Sequence, residues 1–265
     1  MDAMLDAAIA AAVAGGDTLR NRLGNLGQVR TKTSAVDFVT EADIAAGVAA
    51  VRAIAERVAD ARFVVEEPEV YALAGVPQGS LDDDGVWVID PLDGTTSFIH
   101  NYPCYSTSVA FVRGGQPVAG AVHNVVLRET TSALSGRGAW LDDRPLTVGD
   151  ARGLAEALLI TGFPYDRGET LDRQMRVFAQ VIRVAHGIRR DGSAAIDCCH
   201  VAAGRADGFW EFGLQPWDMA AGVLTLREAG AIVTGIEGEP WSVHSQGIIA
   251  ANALVHAELA ELVLG

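Results

Sequence analysis

Apolar side chains recur at helical spacing from about Leu5 to Leu23, and the face they form predicts an amphipathic helix at the start of the chain. A polar, strand-like stretch follows, "QVRTKTSAVDFV". Thr40 then precedes "EADIAAGVAAVRAIAERV", with Glu41 and Asp43 in its first turn, which predicts a second helix capped by Thr40. "RFVVEE" reads as a short buried strand ending on two glutamates, "VPQGSLDDDG" as a polar loop, and "VWVI" as a second buried strand. From Tyr105 to about Leu146 strand-forming residues are punctuated by "RGGQP" and "SGRGA", the turns of antiparallel hairpins. The period then changes. "ALLITGF", a helix around Leu171 to Ala185, "HGIRR", a helix after Gly192, "DGFWEF", a helix from about Trp217 to Ala229, "AIVT", "GIIAAN" and a final helix alternate in the manner of α/β layering. A seam near Gly149 to Gly153 would divide one domain, 1–265, into subdomains 1–150 (helices plus antiparallel sheet) and 151–265 (α/β).

Composition narrows what such a chain can do. At 265 residues, 49% hydrophobic and 20% charged, it is globular and long enough for a substantial core. A net charge of −14 argues against nucleic acid as a partner, because phosphate backbones call for Lys and Arg. A small phosphorylated substrate stays open if metal cations supply the positive charge. Cys104, Cys198 and Cys199 form no CxxC spacing and read as small buried residues in a reducing, cytoplasmic compartment. "MDAMLDAAIAAAVAGG" starts acidic, unlike a secretory signal, and no apolar run reaches membrane-span length.

The chemistry concentrates in "WVIDPLDGTTSFIH", Trp87 to His100. Asp90 stands at a strand end and Asp93 lies across a Pro-Leu turn, so both carboxylates can converge on one point. Their repulsion in a partly dry cleft is relieved by a divalent cation. Hard oxygen ligands favour Mg²⁺, Mn²⁺ or Ca²⁺ over zinc. Gly94, Thr95 and Thr96 then enter a short helix and offer N–H groups and hydroxyls to an anion. Metal carboxylates beside an anion nest describe a phosphate-ester site. The "DGTT" run also resembles the haloacid dehalogenase type, whose motif is Asp-x-Asp-Gly-Thr. That motif needs an Asp at position 91, which is Pro.

"WVIDPLDGTTSFIHNYP" resembles the first signature of the inositol monophosphatase family, and "WDMAAGVLTLREAGAIVT", Trp217 to Thr234, resembles the second. "DFVTEAD", Asp37 to Asp43, and "VVEEP" are similar to two further elements of that family. "RRDGSAAIDCCHVAAGRADGFWEFGLQPWD" is similar to its bacterial inositol-1-monophosphatase branch. The resemblance implies a layered α-β-α-β-α sandwich, a homodimer, and a hydrolase releasing myo-inositol and phosphate by metal-activated water attack. It implies that Glu66, Asp90 and the Leu92 carbonyl hold one Mg²⁺, that Asp90, Asp93 and Asp218 hold a second, and that a weaker third ion shares Glu66. Mn²⁺ is an alternative ion; Ca²⁺ and Li⁺ are expected to inhibit. Thr95 and Asp43 would orient the attacking water, Gly94 and Thr95 N–H groups would take the phosphate, and Glu211 and the Ala194 backbone would meet the inositol hydroxyls. Four negative charges on Glu66, Asp90, Asp93 and Asp218 balance two Mg²⁺ ions.

Other residues carry less. Glu67 is read as a neighbour of the metal ligands or as a solvated glutamate, and Lys32 as an offset to the cluster's charge or as a surface lysine. His100 and His123 are expected to be packed or exposed rather than ligating, and Trp87 and Trp217 to lie in the core. Ser97 replaces the family's usual Asn, and Val65 its usual Gly, which would set the Glu66 loop differently because valine resists positive φ. Asp191 would change the preferred alcohol if it faced the pocket. Histidinol phosphate, a nucleotide 3′-phosphate and fructose 1,6-bisphosphate are alternative substrates, and a regulatory or binding role is the alternative of another class.

Overall fold

The computed structural model describes residues 3–24, 27, 29–31 and 38–265. Lys32 and Asp37 lie outside the described residues. The elements run α1 (Ala3–Arg22), β1 (Val29–Thr31), β2 (Phe38–Thr40), α2 (Glu41–Ala55), β3 (Phe63–Val65), α3 (Glu69–Ala74), β4 (Val86–Asp93), α4 (Thr95–Ile99), β5 (Ser106–Arg113), β6 (Gln116–Asn124), β7 (Glu129–Leu134), β8 (Gly138–Leu141) and β9 (Arg144–Pro145). They continue with β10 (Leu158–Thr161), α5 (Glu169–Val181), β11 (Gly187–Arg189), α6 (Ala194–Ala202), β12 (Gly208–Phe212), α7 (Pro216–Glu228), β13 (Ile232–Thr234), β14 (Gly247–Ala251) and α8 (Ala253–Leu264).

Among the described residues two large sheets organise the chain. One has the order β3-β4-β5-β6-β7-β8-β9 and is antiparallel except for the parallel β3–β4 pair. The other has the order β11-β10-β12-β14-β13, with β10 parallel to both β11 and β12. Three apolar clusters set the layers. Leu5, Ala12, Val51 and Ile54 of α1 and α2 pack on Trp87, Ile89 and Val109 of the first sheet. Cys198 and Val201 of α6, with Ala220, Val223 and Leu224 of α7, fill the space between Val88 and Ala110 of the first sheet and Phe209 and Ile248 of the second. Val177 of α5 with Val255 and Leu259 of α8 cover the second sheet's outer face at Leu159, Trp210 and Ile249. The order is therefore α-β-α-β-α, as expected. The central helices α6 and α7 are buried along most of their length because both their faces are covered.

Local chemistry accounts for most boundaries. Thr40 caps α2 through its side-chain oxygen, which accepts from Ala42 N at 3.1 Å. The helix stops at Ala55, short of the expected Val58. Helix α3 has no counterpart in the reading of the sequence, since its six residues are too few to establish a period. Helix α7 begins at Pro216, a residue that lacks the N–H a first helical position leaves unused. Among the described residues no helix is long and apolar enough to cross a membrane.

Candidate active site

The carboxyl ends of β3, β4, β10 and β12 border one cavity of about 80 Å³ lined by Glu66, Asp90, Asp93, Thr95, Glu211 and Asp218, with the backbone of Leu92, Gly94, Gly162 and Ala194. The β4 backbone explains how two aspartates three positions apart share it. In a regular strand, residues separated by three point to opposite faces. Here Asp90 pairs with Ser108 and Asp93 with Ser106, so three steps on β4 match two on β5. The bulge at Pro91-Leu92 inserts the extra residue and turns both carboxylates to one face. Thr107 Oγ1 donates to Pro91 O at 2.9 Å and Leu92 N donates to Asp90 Oδ1 at 2.9 Å, which fix the bulge.

Gly94 follows with φ of +94°, a conformation suited to glycine. A Cβ there would meet Cys104 O at 2.8 Å and Gly192 O at 3.1 Å, so backbone freedom and close approach both demand the glycine. The turn delivers Thr95 against α2. Its hydroxyl lies 3.0 Å from Asp43 Oδ1 and 3.1 Å from Leu92 O, either of which can accept its single proton. Asp43 is fully buried, and its other oxygen accepts from Thr40 N at 2.8 Å and Thr40 Oγ1 at 2.5 Å. Two residues 52 positions apart, expected from the resemblance to act together, thus stand within hydrogen-bonding distance.

The remaining carboxylates are tethered too. Asp93 Oδ2 accepts from Ser193 Oγ at 2.6 Å and from Ala195 N at 2.8 Å, at the start of α6. Asp218 sits in the first turn of α7 and its Oδ2 accepts from Gln215 N at 2.8 Å. Burial raises Asp93 to about 6 against the pull of those hydrogen bonds. Burial raises Asp90 further, helped by repulsion from Glu66, Asp93 and Asp218, and burial followed by Asp93 and Glu66 does the same to Asp218. Such crowding calls for positive charge between the groups. Four carboxylates and the Leu92 carbonyl, with no nitrogen or sulfur among them, fit Mg²⁺, Mn²⁺ or Ca²⁺. Among the described residues no three acidic, His or Cys side chains already stand at ligand spacing about one point, although the four share a cavity.

Glu211 faces the same cavity from β12. It is 8% exposed, and burial lifts it to about 8, partly opposed by Arg190. Arg190, Gly162, Phe163 and Tyr165 also line the cavity, and the sequence reading passed over them. The available signal was the Gly-Phe-Pro break that ends the apolar run "LLIT", since ligands of α/β sheets gather beyond the carboxyl ends of strands.

Several expected positions lie elsewhere or differ. His123 is buried with Nδ1 2.9 Å from Thr130 Oγ1, and His100 is exposed; neither lines the cavity. Asp191 is not among the lining residues, although its neighbours Arg190 and Gly192 are. Trp87 lies in the core between the first sheet and α1 and α2, and Trp217 packs, partly buried, on the other core, around α6 and α7. Glu67 is 3% exposed, so it is not a solvated neighbour. Val65 ends β3 without positive φ, and Glu66 reaches the cavity all the same. Ser97 is buried in α4, and a Cβ on Gly192 would lie 3.5 Å from its hydroxyl.

The chain matches the model of the inositol monophosphatase family over residues 1–264. It is similar to an inositol-1-monophosphatase of Synechocystis, 39% identical over 257 residues, which are 97% of this chain and 87% of that relative. It is similar to the Nus factor SuhB of Pseudomonas aeruginosa, 38% identical over 95% of this chain and 92% of the relative. Among solved structures, the inositol monophosphatase from Anabaena superposes with a TM-score of 0.85 at 35% identity, covering 98% of this chain and 94% of that one.

Proposed function

The chain belongs to the inositol monophosphatase family, and from that premise we propose that it is a Mg²⁺-dependent phosphate monoesterase, with myo-inositol 1-phosphate as its substrate. One observation carries the reading: Glu66 after β3, Asp90 and Asp93 of β4 and Asp218 of α7 line one cavity together with Thr95, whose hydroxyl meets Asp43. Glu66, Asp90 and the Leu92 carbonyl would hold one cation, Asp90, Asp93 and Asp218 a second, and Glu66 would also serve a weaker third. Bound divalent cations supply Lewis acidity toward phosphoryl oxygens and lower the pKa of water.

The chain's own groups do the positioning. Asp43, held by both Thr40 donors, accepts the hydrogen bond of the Thr95 hydroxyl, which leaves the Thr95 oxygen to accept a hydrogen bond from the attacking water. Gly94 and Thr95 N–H groups receive the phosphate. Glu211 and the Ala194 backbone receive hydroxyls of the alcohol. Water attacks phosphorus directly: its oxygen bonds to phosphorus as the phosphorus–oxygen bond to the alcohol breaks, one water proton stays on the phosphate and the other ends on the oxygen of the leaving alcohol. We treat the chain as one catalytic domain because α6 and α7 share a core with both sheets, and we take the family's homodimer and its inhibition by Li⁺ and Ca²⁺ as parts of the same proposal.

Histidinol phosphate, nucleotide 3′-phosphates and fructose 1,6-bisphosphate are the competing substrates. A regulatory role, raised by relatives named Nus factor SuhB, would not require the complete carboxylate set found here. The test is phosphate release from a panel of these esters with and without Mg²⁺. Mg²⁺-dependent turnover led by myo-inositol 1-phosphate supports the proposal; another ester in the lead changes the alcohol, and no turnover of any ester contradicts it.

A further inference from the structure

Gly162, immediately after β10, is a glycine for room rather than for backbone freedom. It is buried and does not take positive φ. A Cβ built on it would lie 2.1 Å from both carboxylate oxygens of Glu211 and 2.2 Å from the carboxylate carbon. No real Cβ comes that close, so any side chain at 162 displaces the Glu211 carboxyl group while the backbone can stay where it is. The two positions are held in step. Thr161 pairs with Trp210 in the parallel β10–β12 ladder, and Thr161 Oγ1 donates to Trp210 O at 2.6 Å. Gln174 of α5, fully buried, spends both amide hydrogens on this junction: Nε2 donates to Thr161 Oγ1 at 2.6 Å and to Gly162 O at 2.7 Å.

The carboxyl group so placed is unspent. Among the described residues no donor is hydrogen-bonded to the Glu211 side chain, although it is about nine-tenths buried and lines the cavity. Buried polar atoms are normally paired, so its capacity is left for a ligand. A carboxyl group can engage two neighbouring hydroxyls at once. We propose that Gly162 is a specificity-determining residue: the space left by its absent side chain seats the Glu211 carboxyl group where adjacent hydroxyls of a polyol monophosphate reach it, and Gln174 is the positioning residue that keeps that space open. The inference rests on the phosphatase reading of the same cavity.

The experiment compares the parent protein with Gly162→Ala, Glu211→Ala and their double variant on two esters, myo-inositol 1-phosphate and p-nitrophenyl phosphate, whose leaving alcohol carries no further hydroxyl. Gly162→Ala raises KM for the inositol ester by on the order of tenfold, the equivalent of one lost hydrogen bond. It leaves kcat on that ester, and both constants on p-nitrophenyl phosphate, within about twofold. In the Glu211→Ala background the same substitution adds nothing, because the atoms it strikes are gone. Gln174→Leu moves the same KM in the same direction by less. Should Gly162→Ala alone lose its melting transition, Glu211→Ala restores it. Equal losses on both esters, an undiminished effect in the Glu211→Ala background, or no such restoration overturns the inference while the phosphatase reading stands. A parent protein that releases phosphate from neither ester overturns both.

Discussion

The two walls of the cavity are built on opposite plans. On the carboxylate wall, Asp90, Asp93, Asp218 and Asp43 each have at least one oxygen tied to a backbone N–H, and Asp93 and Asp43 to a hydroxyl as well. On the facing wall, among the described residues, the Glu211 side chain accepts no hydrogen bond and the exposed Arg190 makes no ion pair. Tethered groups cannot follow a ligand, but they present a fixed charge pattern without reorganising, which is what a reaction centre requires. Untethered groups leave their bonding to the ligand. Under the proposed function the reaction type belongs to one wall and the choice of alcohol to the other, and substitutions on the two walls should therefore fail in different ways.

The largest effect is expected at Asp90, which is assigned to two cation sites. Asp90→Asn should cut turnover on every ester by several orders of magnitude. Burial and like-charge repulsion raise Asp90 in the folded state, so the same change should raise the melting temperature at neutral pH when no divalent cation is added. Turnover and melting curves on one preparation check both halves. Next come Thr95→Ala and Asp43→Asn, each expected to cost about 10²–10⁴-fold in kcat. Because Asp43 acts through the Thr95 hydroxyl, the double variant should be little worse than the worse single. Losses that multiply in that cycle would show two independent groups.

How far this contrast was legible beforehand follows from how each wall is coded. The carboxylate wall lies in contiguous signatures: "DPLDGTT" contains both the aspartates and the bulge that aligns them, and "VTEAD" contains Asp43 with its cap. The antiparallel strands and the later strand–helix alternation were legible from local signals, the turns "RGGQP" and "SGRGA" among them, and the five-layer order from the family resemblance. The facing wall is coded locally only in part: Glu211 and Ala194 lie in the family-like segment that ends "DGFWEFGLQPWD", but the groups around Glu211 have no local signal. Gly162, Gln174 and Glu211 meet only because β10 pairs with β12 and α5 folds back on the junction, and a glycine needed for space looks like any strand-ending glycine. Helix α3 was missed for its shortness, and the end of α2 was misplaced because "ERV" continues a helical composition beyond Ala55.

Smaller effects sharpen the comparison. Burial raises Glu211 to about 8, so in the folded chain it keeps its proton where an unfolded glutamate, near 4.3, has lost it. Its contribution to stability is full below the ordinary glutamate range and falls as pH rises toward about 8. Glu211→Gln should therefore flatten the decline of melting temperature between about pH 5 and 8; an unchanged slope would mean that Glu211 is ionised in the folded protein. The smallest change is expected at Thr40→Ala, which removes the α2 cap and should cost about 1 kcal/mol in denaturant unfolding.

The division of labour between the walls is tested most directly by the ratio of kcat/KM for myo-inositol 1-phosphate to that for p-nitrophenyl phosphate, measured for the parent, Asp90→Asn and Glu211→Ala at saturating Mg²⁺. The account predicts that Asp90→Asn lowers both values together and leaves their ratio unchanged. It predicts that Glu211→Ala lowers the ratio by on the order of tenfold, through the inositol ester alone. Near-parental turnover in Asp90→Asn, or a Glu211→Ala variant that loses both esters equally, would contradict it.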